Sequence, residues 1–212
     1  MRVAVYGGSF DPITDAHLSV AAEVLHFQLA DEVWIVPCGD RPDKATQASS
    51  ITRLWHCRLA VQSAFPESFP VRVVSTEVDN GVFIPTVYLL RQYRRDFPGF
   101  EFSMVIGTDL VPGLLGWDEG ESLIKETEFI VVPRCDVHGL LFRSEDPKGF
   151  RAQKLNVSRD GFHAAVSNIS STEVRQRLSE KGIVGALGMV PLSVLQDIEK
   201  EGLYGVVKSG DS

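Results

Sequence analysis

Val3-Ala4-Val5-Tyr6-Gly7-Gly8-Ser9-Phe10-Asp11-Pro12-Ile13-Thr14-Asp15-Ala16-His17-Leu18 joins an apolar run to a glycine turn and the opening of a helix, and this stretch decides the fold class. Val3 to Tyr6 is short, apolar and valine-rich, which predicts a fully buried strand. Gly7-Gly8 and Asp11-Pro12 cannot extend it. From His17 to Phe27 the apolar Leu18, Ala21, Ala22 and Leu25 recur at three and four, the spacing of one helix face. Val33-Trp34-Ile35-Val36 is a second buried strand, ended by Pro37. Strand, turn, helix and strand in succession make a βαβ unit, whose two strands run parallel.

Outward from this unit the alternation continues. Leu54 to Ala64 and Thr86 to Asp96 read as helices; Val71 to Ser75, Phe102 to Ile106 and Phe129 to Val132 read as strands, with a weaker strand at His163 to Val166. The fold class predicted is α/β: a Rossmann-like, doubly wound parallel sheet. From Ser171 onward the chain is helical in character, with helices at Thr172–Leu178 and Leu192–Glu201. The expected organisation is an α/β core over 1–170 and a small C-terminal helical cap over 171–212 packed on it. No internal repeat or low-complexity tract interrupts the core.

Composition narrows the function classes. The 212 residues carry a formal net charge of −7, which argues against a general nucleic-acid or anionic-membrane binder, because those need a broad basic surface. A polyanionic ligand must therefore meet a local positive site. Cys38, Cys57 and Cys135 are scattered and form no CxxC pair, so neither a disulfide framework nor a zinc knuckle is expected. The apolar run after Met1-Arg2 is too short for a signal-peptide core, and no stretch has the length of a membrane-spanning helix. A cytoplasmic protein is expected, nuclear if the source is eukaryotic, with a homo-oligomer left open.

Two segments are suited to phosphate. In the first, Gly7 and Gly8 allow backbone N–H groups to approach a ligand, and the helix that follows presents its positive end with Thr14 and His17 on it. It is neither a GxxxxGK loop nor a GxGxxG fingerprint. The plain structural alternative is a tight turn with Thr14 or Asp15 as helix cap and an ordinary first-turn histidine. The second segment is Ile169-Ser170-Ser171-Thr172-Glu173-Val174-Arg175. Ser170 and Glu173 have capping-box spacing, and the hydroxyls with the arginine one turn later offer a second phosphate cradle. Two cradles suit a triphosphate.

These residues carry a family resemblance. Gly8 to His17 meets the pattern G-[ST]-F-[DN]-P-x-[HT]-x-x-H and Ile169 to Arg175 meets I-S-S-T-x-[IV]-R, so the chain resembles the nicotinamide and nicotinate mononucleotide adenylyltransferases nearly end to end. Arg41-Pro42-Asp43-Lys44 resembles the family's P-P-H-K loop, which implies a substrate-phosphate contact at Lys44. Arg53 matches the arginine of R-L-x-x-x-x-L-A. Thr86 matches the first threonine of the T-x-x-T helix start, implied to lie at the pyridine ring, on which Trp117 is implied to stack. Gly107-Thr108-Asp109 matches G-x-D, implied to lie near the adenosine, and Leu203-Tyr204 matches the closing L-Y. Thr14-Asp15-Ala16-His17 departs from the H-x-G-H of bacterial members, Leu89 from the second threonine and Asp43 from the loop histidine. Both pyridine mononucleotides stay open as substrates.

The resemblance implies an adenylyltransferase in NAD biosynthesis that joins a pyridine mononucleotide to the adenylyl group of ATP, with Mg²⁺ accompanying ATP. The implied catalytic residues are His17 and Arg175. Those implied for ATP are Gly7, Gly8, Ser9, Phe10, Thr14, His17, Gly107, Asp109, Ile169, Ser171, Thr172 and Arg175; for the pyridine nucleotide, Ser9, Phe10, Lys44, Thr86 and Trp117; no protein metal ligand is expected. Each has an ordinary alternative: Trp117 as a core or lid aromatic, Lys44 as a solvated loop residue, Asp109 as a turn residue. Arg143, Lys148, Arg151 and Lys154 interleave with acids and read as a solvated loop. Cys57 beside His56 reads as a helix pair facing different ways. Two other functions remain: a phosphopantetheine adenylyltransferase, favoured by Thr14 and opposed by Trp117 and the Thr86 helix, and a non-catalytic nucleotide-binding module, opposed by His17 and Arg175.

Overall fold

The computed structural model describes residues 1–41, 45–134, 146–155 and 167–208. Among these residues six strands form one sheet in the order β3-β2-β1-β4-β5-β6. They are β1 (Arg2–Gly8), β2 (Glu32–Pro37), β3 (Val71–Val73), β4 (Glu101–Gly107), β5 (Glu128–Val132) and β6 (Arg151–Lys154). β1 pairs with β4, β4 with β5 and β5 with β6, all parallel, with Arg2 opposite Glu101 and Val5 opposite Met104. This is the doubly wound α/β fold that the sequence predicts, and its order reverses at β1, where such sheets bind ligands beyond their carboxyl ends.

Among the described residues seven α-helices accompany the strands: α1 (Asp15–His26), α2 (Ser50–Ala64), α3 (Thr76–Asn80), α4 (Thr86–Asp96), α5 (Gly120–Glu126), α6 (Ser171–Lys181) and α7 (Leu192–Glu201). α4 and α7 keep the bounds predicted for them. Short α3 and α5, and β6, were not predicted. β6 corrects the reading of Arg151 and Lys154 as a loop: its sequence is polar and its side chains are exposed or half-buried, so no hydrophobic period marks it. Arg143 and the predicted strand at His163–Val166 lie outside the described residues.

The described chain divides into two compact units. One comprises Met1–Gly7, Val20–Trp34 and Ile84–Asn168. Its core includes Trp34, whose ring meets Tyr93, Phe97 and Phe102 edge-on at 5.2 to 5.4 Å, the favoured geometry for aromatic pairs. Its indole N–H donates to buried Glu32 at 2.8 Å, so the polar end of the ring is satisfied. The other unit comprises Gly8–Ser19, Ile35–Phe83 and Ile169–Ser212, and in it α7 packs on α2 and has Val194, Leu195 and Ile198 fully buried. Among the described residues no helix is long and apolar enough to cross a membrane.

Candidate active site

In the second unit the turn after β1 is held by Cys38 and Arg53. The Gly8 carbonyl accepts the Cys38 N–H at 2.9 Å, and the Ser9 carbonyl accepts Nη1 of buried Arg53 at 2.6 Å. Phe10 has a φ of 48°, the left-handed region that side chains disfavour. Its buried ring lies against Gly8, where an added Cβ would come within 3.1 Å of it, so a side chain there would crowd the ring. The same ring meets His17 edge-on at 5.1 Å.

Thr14 precedes α1, and its carbonyl accepts the first helical bond, from Leu18 N–H, at 3.3 Å. Three residues on, His17 reaches back: its Nδ1 accepts the Thr14 N–H at 3.0 Å and lies 2.8 Å from the Thr14 hydroxyl. This is capping-box geometry with an imidazole in the place of the usual glutamate. An Nδ1 that accepts a backbone N–H carries no proton of its own, which leaves the proton on Nε2. Thr14, itself fully buried, thus sets the tautomer of His17.

Residues far away in sequence close on the same turn. Arg175 donates from Nη1 to the Asp11 carbonyl at 2.7 Å and from Nη2 to the Thr172 hydroxyl at 3.3 Å. The Ser171 hydroxyl donates to the Pro12 carbonyl at 2.8 Å. Ser170 caps α6 by accepting the Glu173 N–H at 3.2 Å. Glu173 does not complete the capping box; its carboxylate pairs with Arg177 at 2.7 Å. The two predicted phosphate segments, Gly8–His17 and Ile169–Arg175, are therefore one cluster.

Two members were not singled out as site residues from the sequence. The carboxylate of buried Asp11 accepts the N–H groups of Gln47 at 2.8 Å and Ala48 at 3.1 Å and the Tyr204 hydroxyl at 2.8 Å. Burial first, then the Asp11 charge and hydrogen bond, pushes the Tyr204 hydroxyl well above its ordinary value, so it stays a donor. Asp11 and Tyr204 both sit inside the quoted patterns, but their partners are too distant in sequence for a motif to reveal.

In the first unit Gly107 ends β4. The Leu110 N–H donates to its carbonyl at 3.0 Å, and a Cβ there would collide with the Asp109 carboxylate. Arg134 lies 3.9 Å from Asp109, and its N–H donates to the Thr108 hydroxyl at 2.9 Å. Gly7 packs against Met104, 3.3 Å from a notional Cβ. Thr86 opens α4 and Trp117 follows a 3-10 turn over Val111–Gly116; both are half-buried. Leu89, which stands at the second family threonine, is core, 3% exposed. Lys44 lies outside the described residues. Among those described, no group of three or more His, Cys, Asp or Glu side chains could hold a metal ion.

A glycine turn and two helix N-termini that carry His17 and Arg175, built on this sheet order, are the parts of a nucleotidyltransferase. Residues 5–177 match the cytidylyltransferase-like family model. The chain is 30% identical over 208 residues to the probable nicotinate-nucleotide adenylyltransferase of Gemmatimonas aurantiaca, across 96% of this chain and 92% of that one. It is 30% identical over 206 residues to the nicotinate-nucleotide adenylyltransferase of Bacillus subtilis, across 96% and 98%. The solved Plasmodium falciparum nicotinic acid mononucleotide adenylyltransferase complexed with NaAD matches it with a TM-score of 0.78 at 27% identity, over 97% of this chain and 98% of that one. The chain belongs to the cytidylyltransferase-like family and, within it, to the nicotinate-nucleotide adenylyltransferases.

Proposed function

We propose that this protein transfers the adenylyl group of ATP to the 5′-phosphate of nicotinate mononucleotide, with release of pyrophosphate, and that it accepts nicotinamide mononucleotide less well. The observation that carries the reading is the convergence of Arg175 with the Phe10–His17 turn through the 2.7 Å bond to the Asp11 carbonyl. The names of the full-length relatives support nicotinate as the favoured ring.

A nucleotide phosphate is close to a dianion at neutral pH, since its second pKa is about 6, so it needs no general base. One of its oxygens forms a bond to the α-phosphorus of ATP as the bond to the β-phosphate oxygen breaks, and pyrophosphate leaves with that electron pair. The protein must align the reactants and stabilise charge. Nε2–H of His17 donates to the transferring phosphate, and Arg175 neutralises the leaving group. Ser9 and Phe10 offer backbone N–H groups to both substrates, Gly7 and Gly8 admit ATP closely, and Thr14, Ile169, Ser171 and Thr172 line the triphosphate. Gly107 and Asp109 serve the adenosine; Lys44, Thr86 and Trp117 serve the pyridine nucleotide. A magnesium ion accompanying ATP would supply further neutralisation of phosphate charge and, because the ion keeps most of its waters, would need few protein ligands. With a net charge of −7 and no membrane-spanning helix among the described residues, the reading is of a cytoplasmic enzyme.

The test is pyrophosphate release from Mg·ATP with nicotinate mononucleotide, nicotinamide mononucleotide or phosphopantetheine, for wild type and His17→Ala. We expect turnover with the nicotinate substrate, and a loss of about 10²- to 10³-fold in kcat in the variant, the scale of removing one transition-state donor. Release with phosphopantetheine alone would transfer the assignment to that chemistry; no release at all would leave a nucleotide-binding module.

A further inference from the structure

Arg53 is wholly buried, yet no buried carboxylate answers its charge among the described contacts. Nη1 donates to the Ser9 carbonyl at 2.6 Å, Nη2 to the Cys38 and Gly39 carbonyls at 2.8 and 3.3 Å, and Nε to the Ala48 carbonyl at 3.3 Å. The carboxylate of Asp40 stands 3.7 Å away and is itself 69% exposed. A cation buried among neutral acceptors is costly, and a neutral donor could serve one or two of these carbonyls without that cost. What arginine alone supplies is a rigid fork that spans several carbonyls and a permanent charge behind the turn.

We infer that Arg53 is a positioning residue for the phosphate turn: by holding the Ser9 carbonyl it aims the Phe10 amide at the triphosphate. The inference rests on the proposed reading of this turn as the ATP site. In a trans peptide the C=O and the following N–H point in opposite directions. The Ser9 carbonyl points at Arg53, so the Phe10 N–H points away from it. The Gly8 carbonyl points at the Cys38 N–H, 2.9 Å away, so the Ser9 N–H likewise points away from Cys38. Two consecutive amides are thereby directed away from the Cys38–Arg53 side of the turn. The left-handed φ of 48° at Phe10 is held between the Arg53 bond before it and the packing of its own ring on Gly8 and His17. A release of the Ser9 carbonyl would let this disfavoured conformation relax and turn the Phe10 amide away.

The test uses the full chain and inorganic tripolyphosphate. Amide ¹H–¹⁵N spectra and calorimetry are recorded for wild type, Arg53→Lys, Arg53→Met and, as a control for lost stability, Leu195→Ala in α7. In wild type the Ser9 and Phe10 amide protons shift downfield on binding. In Arg53→Lys, which keeps the charge but loses the fork, tripolyphosphate affinity falls about tenfold, the scale of one charge-assisted hydrogen bond, and the Phe10 shift is lost. Leu195→Ala binds as wild type despite its lower melting temperature. Wild-type affinity and an unchanged Phe10 shift in Arg53→Lys would overturn the inference, and so would a wild-type protein whose two amides do not respond, whether or not either variant folds. A wild type that binds tripolyphosphate here but turns over neither pyridine mononucleotide would overturn the proposed function and leave the role of Arg53 standing.

Discussion

Gly107 shows how a single missing Cβ serves the candidate site. The Asp109 carboxylate occupies the volume that an alanine methyl would take, and Arg134 lies beside it at 3.9 Å. Gly107 does not have a positive φ, so alanine brings no backbone strain of that kind; it displaces the Asp109 carboxylate and presses on Arg134 Cγ, 3.0 Å from the added Cβ, and both neighbours belong to partly exposed side chains. Gly107→Ala is therefore expected to keep its melting temperature within a few degrees of wild type, while KM for ATP rises about tenfold, equivalent to ~1.4 kcal/mol. An unchanged KM measured at saturating mononucleotide would remove Asp109 from the ATP site. The same scale explains Leu89. A threonine there would bring a hydroxyl into a core position with 3% exposure, where an unpaired polar group is costly, so leucine is the packing solution in this chain.

At the scale of elements, α6 carries the second half of the cluster on its first two turns. Ser170 satisfies one of the unpaired N–H groups that every helix start exposes, and its removal frees the segment that holds Ser171 on the Pro12 carbonyl and Arg175 on the Asp11 carbonyl. Ser170→Ala should cost about 1 kcal/mol and lower the melting temperature by about 2 to 4 °C, measured by circular dichroism. The long elements were legible in the sequence. α4 and α7 show a period of 3.6 over at least ten residues, and the central strands β1 and β4 are predominantly apolar runs. β6 was not legible, because Arg151–Lys154 joins the sheet through backbone pairing with β5 and has no apolar face to betray it.

At the scale of the molecule, His56 of α2 and Asp197 of α7 are bonded at 3.1 Å across 141 residues of chain. His56 is fully buried, and its Nδ1 has no hydrogen-bond partner among the described residues, so the neutral ring donates from Nε2. Burial lowers its pKa from the usual 6.5, against the opposing pull of Asp197 and, more weakly, Asp11. The unfolded chain therefore binds a proton that the folded chain refuses. Stability from this site is fully present above about pH 6.5 and is lost as pH falls from there through the lower folded value. Urea titrations at a series of pH values should show this slope below 6.5 in wild type and a flatter one in His56→Gln; equal slopes would acquit the histidine. The sequence alone indicated His56 only as a helix residue beside Cys57, and it yielded the βαβ order and pointed to the two candidate phosphate segments with His17 and Arg175 on them, because strand burial, helix periodicity and turn chemistry are local. It could not yield the Asp11 hub, the Ser9–Arg53 bond or the tautomer of His17. Those depend on which carbonyls and carboxylates are brought within hydrogen-bond reach when distant segments pack, and only the tertiary structure decides that.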